Sequence, residues 1–162
     1  MPNWAEGVLK VRGTRQDIRK FLVEGLEPLN PRAGISMLRG GEIEQLKSEI
    51  QEDDWDLTMK APHGFYIKGT RRAFIESDIY WEFDDKHTEV LTIEDFKQAW
   101  AVIPENFVEI SKKFNLDIKI YTFEKGMEFN QDVEIHKGEI VKNNEITFDD
   151  YEWECLMPHL GG

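Results

Sequence analysis

Apolar residues recur along this chain with two spacings, one of two residues and one of three to four, and each change of spacing predicts an element boundary. Gly7-Val8-Leu9-Lys10-Val11-Arg12-Gly13 alternates between glycines and predicts a strand. Thr14, three residues before Asp17, is a capping-box-like start. Ile18, Phe21, Leu22 and Leu26 then share one stripe of an amphipathic helix, which Pro28 and Pro31 stop. After Arg39-Gly40-Gly41, the spacing of Ile43, Leu46 and Ile50 predicts a second helix. Gly64 to Gly69 and Arg72 to Glu76 read as short strands joined by a Gly-Thr turn, and Asp78 to Phe83 as an aromatic, alternating strand. Ile93 to Ala101 reads as a helix. Pro104 opens another, with Phe107, Ile110 and Phe114 facing inwards and Val108 at the flank.

The remainder predicts a β-meander. Leu116, Ile118 and Ile120 alternate with Asp117, Lys119 and Tyr121, and Lys125-Gly126 turns the chain into a strand from Met127 to Ile135. Lys137-Gly138 turns it again, and Asn143-Asn144 marks a third turn before a strand from Ile146 to Trp153. This order predicts one α+β domain over residues 1–162, an antiparallel sheet with helices on one face. A split βαβ core of the ferredoxin-like kind satisfies it, with residues 29–61 as an insertion. Leu9, Val11, Phe21, Leu22, Ile110, Phe114, Ile118 and Ile120 are the expected core.

Composition narrows the class. The chain has 162 residues, 40% of them hydrophobic and 12% aromatic, too rich in both for a disordered segment. Its longest apolar runs span only a few residues, too short to cross a membrane as a helix. No secretory leader opens it, and its single cysteine, Cys155, cannot form an internal disulfide, so a cytoplasmic location is expected.

Charge adds more, because it is clustered. There are 32 acidic and 20 basic side chains, net −12. Lys10 to Arg39 holds seven bases and three acids, and Leu57 to Ile75 four bases and no acid, so each carries +4. The acids gather in Glu42 to Asp56, Glu76 to Asp95 and Glu139 to Glu154, with net charges of −6, −7 and −5. Uniform acidity would only aid solubility, whereas blocks of one sign select a partner.

Two segments carry a family likeness. The chain opens Met1-Pro2-Asn3-Trp4 and follows it with a strand ending at Gly13. Further on, Phe96-Lys97-Gln98-Ala99-Trp100 precedes a proline-led helix, a strand and Tyr121-Thr122-Phe123-Glu124-Lys125-Gly126-Met127-Glu128-Phe129. Together these resemble the YubB ferredoxin-like family of phage and plasmid proteins. Similar members carry an aromatic–x–x–Ala–Trp segment ahead of a proline, then a Tyr/Glu-rich strand, a glycine and a second aromatic strand. The resemblance covers both ends of the chain and leaves roughly Leu29 to Ala61 aside. It implies a ferredoxin-like domain from a mobile element and brings no catalytic residues with it. Ala5 stands where the family pattern has Cys, so chemistry tied to that thiol does not carry over.

Candidate chemistry is sparse. His63, His87, His136 and His159 form no His-x-x-x-His pair, and no Cys-x-x-Cys occurs, so the usual zinc spacings are missing. Cys155 and His159 offer two ligands where a tetrahedral site needs more, and Asp84-Asp85-Lys86-His87 reads as a solvated turn. Gly40-Gly41-Glu42 resembles the turn of nucleotide cyclases, yet a helical spacing follows it where a strand is required. No phosphate loop, Gly-x-Ser-x-Gly elbow or paired His-x-Thr appears. No catalytic residue, metal or cofactor is therefore expected.

What stands out is an aromatic set among carboxylates. Of five tryptophans (Trp4, Trp55, Trp81, Trp100, Trp153), Trp55 lies within Glu52-Asp53-Asp54-Trp55-Asp56 and Trp153 within Asp149-Asp150-Tyr151-Glu152-Trp153-Glu154. Rings anchor a protein interface while acids steer towards a basic partner, and ordered carboxylates can imitate DNA phosphates. The expected function is a non-catalytic inhibitor of a nucleic-acid-handling host defence protein, of anti-CRISPR or anti-restriction type. Glu52, Asp53, Asp54, Asp56, Asp84, Asp85, Asp149, Asp150, Glu152 and Glu154 would steer, with Trp55 and Tyr151 as anchors. The alternative is a small nucleic-acid-binding module in which Phe65 and Tyr66 stack a base while Lys68, Arg71 and Arg72 grip phosphate. A phage or plasmid accessory domain whose acidity only keeps it soluble is the third reading.

Overall fold

A computed structural model describes residues 2–31 and 45–162. In chain order the elements are β1 (Trp4–Gly13), α1 (Arg15–Lys20) running into a π-helical turn (Phe21–Gly25), β2 (Leu26–Pro28), β3 (Glu49–Glu52), β4 (Asp56–Lys60), β5 (Phe65–Ile67), β6 (Ala73–Ile75) and β7 (Ile79–Glu82). β8 (Glu89–Ala99), α2 (Pro104–Phe114), β9 (Asp117–Glu124), β10 (Phe129–His136), β11 (Glu139–Thr147) and α3 (Tyr151–Glu154) complete it. Eight strands form one sheet in the order β11-β10-β9-β1-β8-β6-β5-β2, and β3-β4-β7 form a second. Every strand pairing is antiparallel. The architecture is α+β and sheet-dominated.

β1 sits at the centre of the large sheet because alternation gives it two usable faces. Leu9 and Val11 point inwards beside Ile93, Phe96, Ile118, Ile120, Val133 and Ile135 of the neighbouring strands, all buried. Gly7 permits the close pairing with β9, since a Cβ there would lie 2.1 Å from the Tyr121 carbonyl oxygen. α1 and α2 cover this inner face. Thr14 caps α1, its hydroxyl accepting from the Asp17 N–H at 3.2 Å. Ile18, Phe21 and Leu22 meet Phe107, Ile110 and Phe114 of α2, with the Phe21 and Phe114 rings 5.6 Å apart, edge to face. Leu57, Met59, Ile79 and Trp81 of the small sheet join the same core.

All eight expected core residues are buried. Other expectations need correction. The segment from Ile93 to Ala101 is strand, not helix. A bulge puts one extra residue on β8 between Ile93, opposite Leu9, and Phe96, opposite Gly7, so two inward side chains fall three apart and imitate a helical stripe. Asn143-Asn144 is no turn but the middle of β11. The strand expected from Ile146 to Trp153 ends at Thr147, because Asp150 caps a helical turn. Leu26 leaves its helix for β2, and Ile50 lies in the exposed strand β3. The described part of 29–61 supplies β3 and β4 of the small sheet; Ile43 and Gly40-Gly41-Glu42 lie outside the described residues. The short α3 lies over the outer face of the large sheet, through a Tyr151 hydrogen bond to Asn130.

Candidate functional site

The first acidic block folds into a defined tip. Between β3 and β4, the Asp53 carboxylate accepts from the N–H groups of Trp55 (2.7 Å) and Asp56 (3.0 Å). The Trp55 bond and then the Asp56 bond hold that carboxyl below its ordinary pKa. Trp55 is pushed outwards and is 76% exposed, while its carbonyl accepts from Phe83 N–H at 2.7 Å and so ties the tip to the end of β7. On β7, Tyr80 is 58% exposed and lies across from Thr58, next to the cross-strand pair Asp56–Glu82. Desolvation and then the charges of Asp56, Glu82 and Asp53 push its phenol pKa up. Tyr80 was not among the expected anchors, although its place on an alternating strand marks it as outward-facing.

The remaining acids of this region divide. Glu52 is taken by Arg19 at 2.8 Å and Asp84 by Lys86 at 2.5 Å. Among the described residues, Asp53, Asp54, Asp56, Glu82 and Asp85 have no cationic partner. The tip therefore presents two rings amid uncompensated negative charge.

The C-terminal block differs from expectation. Tyr151 is only 5% exposed; it packs on Phe148 (5.2 Å) and donates to Asn130 Oδ1 at 3.1 Å, with burial pushing its pKa well up. It is a structural residue, not an anchor. The reason is the helix cap: Asp150 accepts from Trp153 N–H (3.2 Å) while Glu154 accepts from Asp150 N–H (3.1 Å), which rotates Tyr151 inwards and Trp153 outwards. Trp153, 86% exposed among Asp149, Asp150, Glu152 and Glu154, is the ring this block offers.

The residues of the nucleic-acid alternative do not all meet. Phe65 is fully buried and cannot stack a base. Tyr66 is half-buried with its hydroxyl donating to the Thr70 carbonyl, while Lys68, Arg71 and Arg72 are exposed. Other rings stand beside Tyr66 on the outer face. Phe74 lies 5.8 Å from both Tyr66 and Trp4, and the Trp4 ring carries Lys97 Nζ at 4.6 Å and the Arg72 guanidinium at 5.4 Å. Trp4 and Lys97 are outward positions of β1 and β8, which the helix-like spacing produced by the β8 bulge conceals in the sequence.

Among the described residues no group of three His, Cys, Asp or Glu comes together to hold a metal. Cys155 is buried against Asn130, and His159 is exposed. No described helix is long and apolar enough to cross a membrane. Compared with known proteins, the chain matches no family model, no curated protein and no solved structure.

Proposed function

We propose that this protein is a non-catalytic acidic inhibitor that docks on the basic, nucleic-acid-binding groove of a host defence protein. The observation that carries this reading is the Asp53 tip. Trp55 and Tyr80 are held out of the core among Asp53, Asp54, Asp56 and Glu82, four carboxylates with no cationic partner among the described residues. Rings that give up water on contact supply affinity, and unpaired carboxylates at fixed spacing supply attraction and register for a groove built for phosphates. Trp153 and its four acids form a second such surface.

A ferredoxin-like core from a phage or plasmid element, in the YubB mould, belongs to the same proposal. Its support is topological. β8, α2 and β9 make a split βαβ unit with β1 between its two strands, and β6 lies on the far side of β8. The site of action is then the host cytoplasm.

The test is inhibition of purified CRISPR effectors and restriction enzymes, read as DNA cleavage against inhibitor concentration. Inhibition of at least one enzyme is expected, competitive with duplex DNA and weakened by added salt. The triple variant Asp53→Asn, Asp54→Asn, Asp56→Asn and the single variant Trp55→Ala should each weaken it at least tenfold. Inhibition unchanged in both variants would sink the proposal.

A further inference from the structure

We infer that the corner formed by Arg71, Arg72 and Trp100 is a binding site for a nucleotide unit, a planar base carrying phosphate, either free or within a single strand. The site is separate from the Asp53 tip and does not depend on its role.

The first observation is one of charge. Among the described residues there are five arginines. Arg12, Arg15 and Arg19 are committed to Asp117, Glu89 and Glu52 at 2.7 to 2.9 Å. Arg71 and Arg72, adjacent and exposed, have no carboxylate partner among the described residues. Two neighbouring forks of this kind match a phosphate oxygen set. Lys97, the third cation nearby, is already paired with Glu76.

The second observation is a ring held where it costs energy to be. Trp100 is 56% exposed and its backbone is left-handed, at φ +73°. Arg72 is left-handed too, at φ +56°. A bulky residue adopts this conformation only where its surroundings impose it. The surroundings here are explicit. The Trp100 N–H donates to the Asn3 carbonyl (2.8 Å) and the Ala99 N–H to the Arg72 carbonyl (3.1 Å). Gln98, fully buried, donates to the Arg71 carbonyl (3.0 Å) and accepts from Ile103 N–H (3.1 Å), and Asn106 accepts from Arg71 N–H (2.9 Å). One buried amide thus locks the loop after β5 to the loop after β8.

The third observation is shape. Arg71, Arg72, Ala99, Trp100, Ala101 and Ile103 line a hollow of about 130 Å³. That is room for a phosphate group rather than a whole ligand. A base then lies outside it, against the exposed Trp100 ring, and the neighbouring Arg72–Trp4 stack extends the aromatic surface. An acidic side chain would satisfy the arginines and leave the tryptophan idle; a nucleotide uses both. The net charge of −12 opposes a polyanion at long range, but salt screens it beyond a Debye length of roughly 8 Å.

The experiment measures binding of a short fluorescein-labelled single strand by anisotropy, with unlabelled mononucleotide and inorganic phosphate as competitors. The strand is expected to bind, mononucleotide to compete, and phosphate to compete far less well. Arg71→Ala with Arg72→Ala should weaken binding at least tenfold. Trp100→Gly is the decisive variant. It deletes the ring and relieves the left-handed backbone, so binding should fall at least tenfold while the melting temperature holds or rises. Trp55→Ala should leave binding unchanged, which separates this site from the acidic tip. Displacement by excess unlabelled strand, with neither mononucleotide nor phosphate displacing it, still upholds the site, as one that reads a linked chain. No binding by the wild-type protein, binding unmoved by Trp100→Gly, or phosphate itself displacing the strand as fully as mononucleotide does would each overturn it.

Discussion

The two faces of the eight-stranded sheet are made from the same strands and follow different rules. On the inner face, Leu9, Val11, Ile93, Phe96, Ile118, Ile120, Val133 and Ile135 form a row of hydrocarbon that α1 and α2 seal from water. On the outer face, the residues between them in sequence are Lys10, Arg12, Asp117, Lys119, Glu134 and His136, with Trp4, Tyr66 and Phe74 towards one edge. The inner face carries stability. The outer face is a lattice of ion pairs such as Arg12–Asp117 and Lys119–Glu134, which water screens and which contribute little each. Sequence change on that face costs little, so it is free to acquire binding chemistry.

Substitution should expose this asymmetry. Phe96→Ala opens a cavity beside Phe107, whose ring centre is 6.0 Å away, and should cost about 3–5 kcal/mol in urea unfolding. Acid should reveal a smaller effect from the outer face. The Asp117 carboxyl is raised by partial burial, but hydrogen bonds from Arg12 and the Lys137 N–H outweigh this and leave its pKa below 3.8. Hydrogen bonding from His136 and the charge of Lys119 keep Glu134 below 4.5. Both pKa values are depressed on folding, so the stability these groups contribute is fully present above their ordinary values. It is lost as pH falls through those values towards the folded ones. The double variant Asp117→Asn, Glu134→Gln should show a shallower fall in melting temperature below about pH 4.5 than the wild type. Smallest of all, Lys10→Ala, across from Lys119 and with no carboxylate partner among the described residues, should change stability by no more than about 0.5 kcal/mol.

The inner face was legible from the sequence because a buried strand or helix repeats its spacing. Phe107, Ile110 and Phe114 on α2, and Ile118 and Ile120 on β9, needed nothing but periodicity. β8 misled because its bulge converts a spacing of two into one of three between Ile93 and Phe96. Tyr151 misled for another reason: its polar neighbours describe the surface, whereas the Asp150 cap turns that one ring inwards. The Arg71–Arg72–Trp100 corner was legible only in half. Unbroken positive charge marks the arginines, but Trp100 reaches them through a left-handed backbone and a buried Gln98, and no one-dimensional pattern encodes either.

The bulge between β10 and β11 has a consequence for how these molecules coexist at high concentration. Ile135 faces Ile140 while Glu134 faces Lys142, so Val141 is the extra residue on the last strand of the sheet. That strand is nine residues long, and among the described residues nothing pairs with its outer side. A flat edge of that length is a template for a neighbouring molecule to extend the sheet. The bulge twists it out of plane, and Glu139, Lys142 and Glu145 would have to be stripped of water or set against like charge for two edges to join. Part of the chain's acidity thus keeps copies apart, a protection that weakens as the medium approaches pH 4.8, where net charge vanishes.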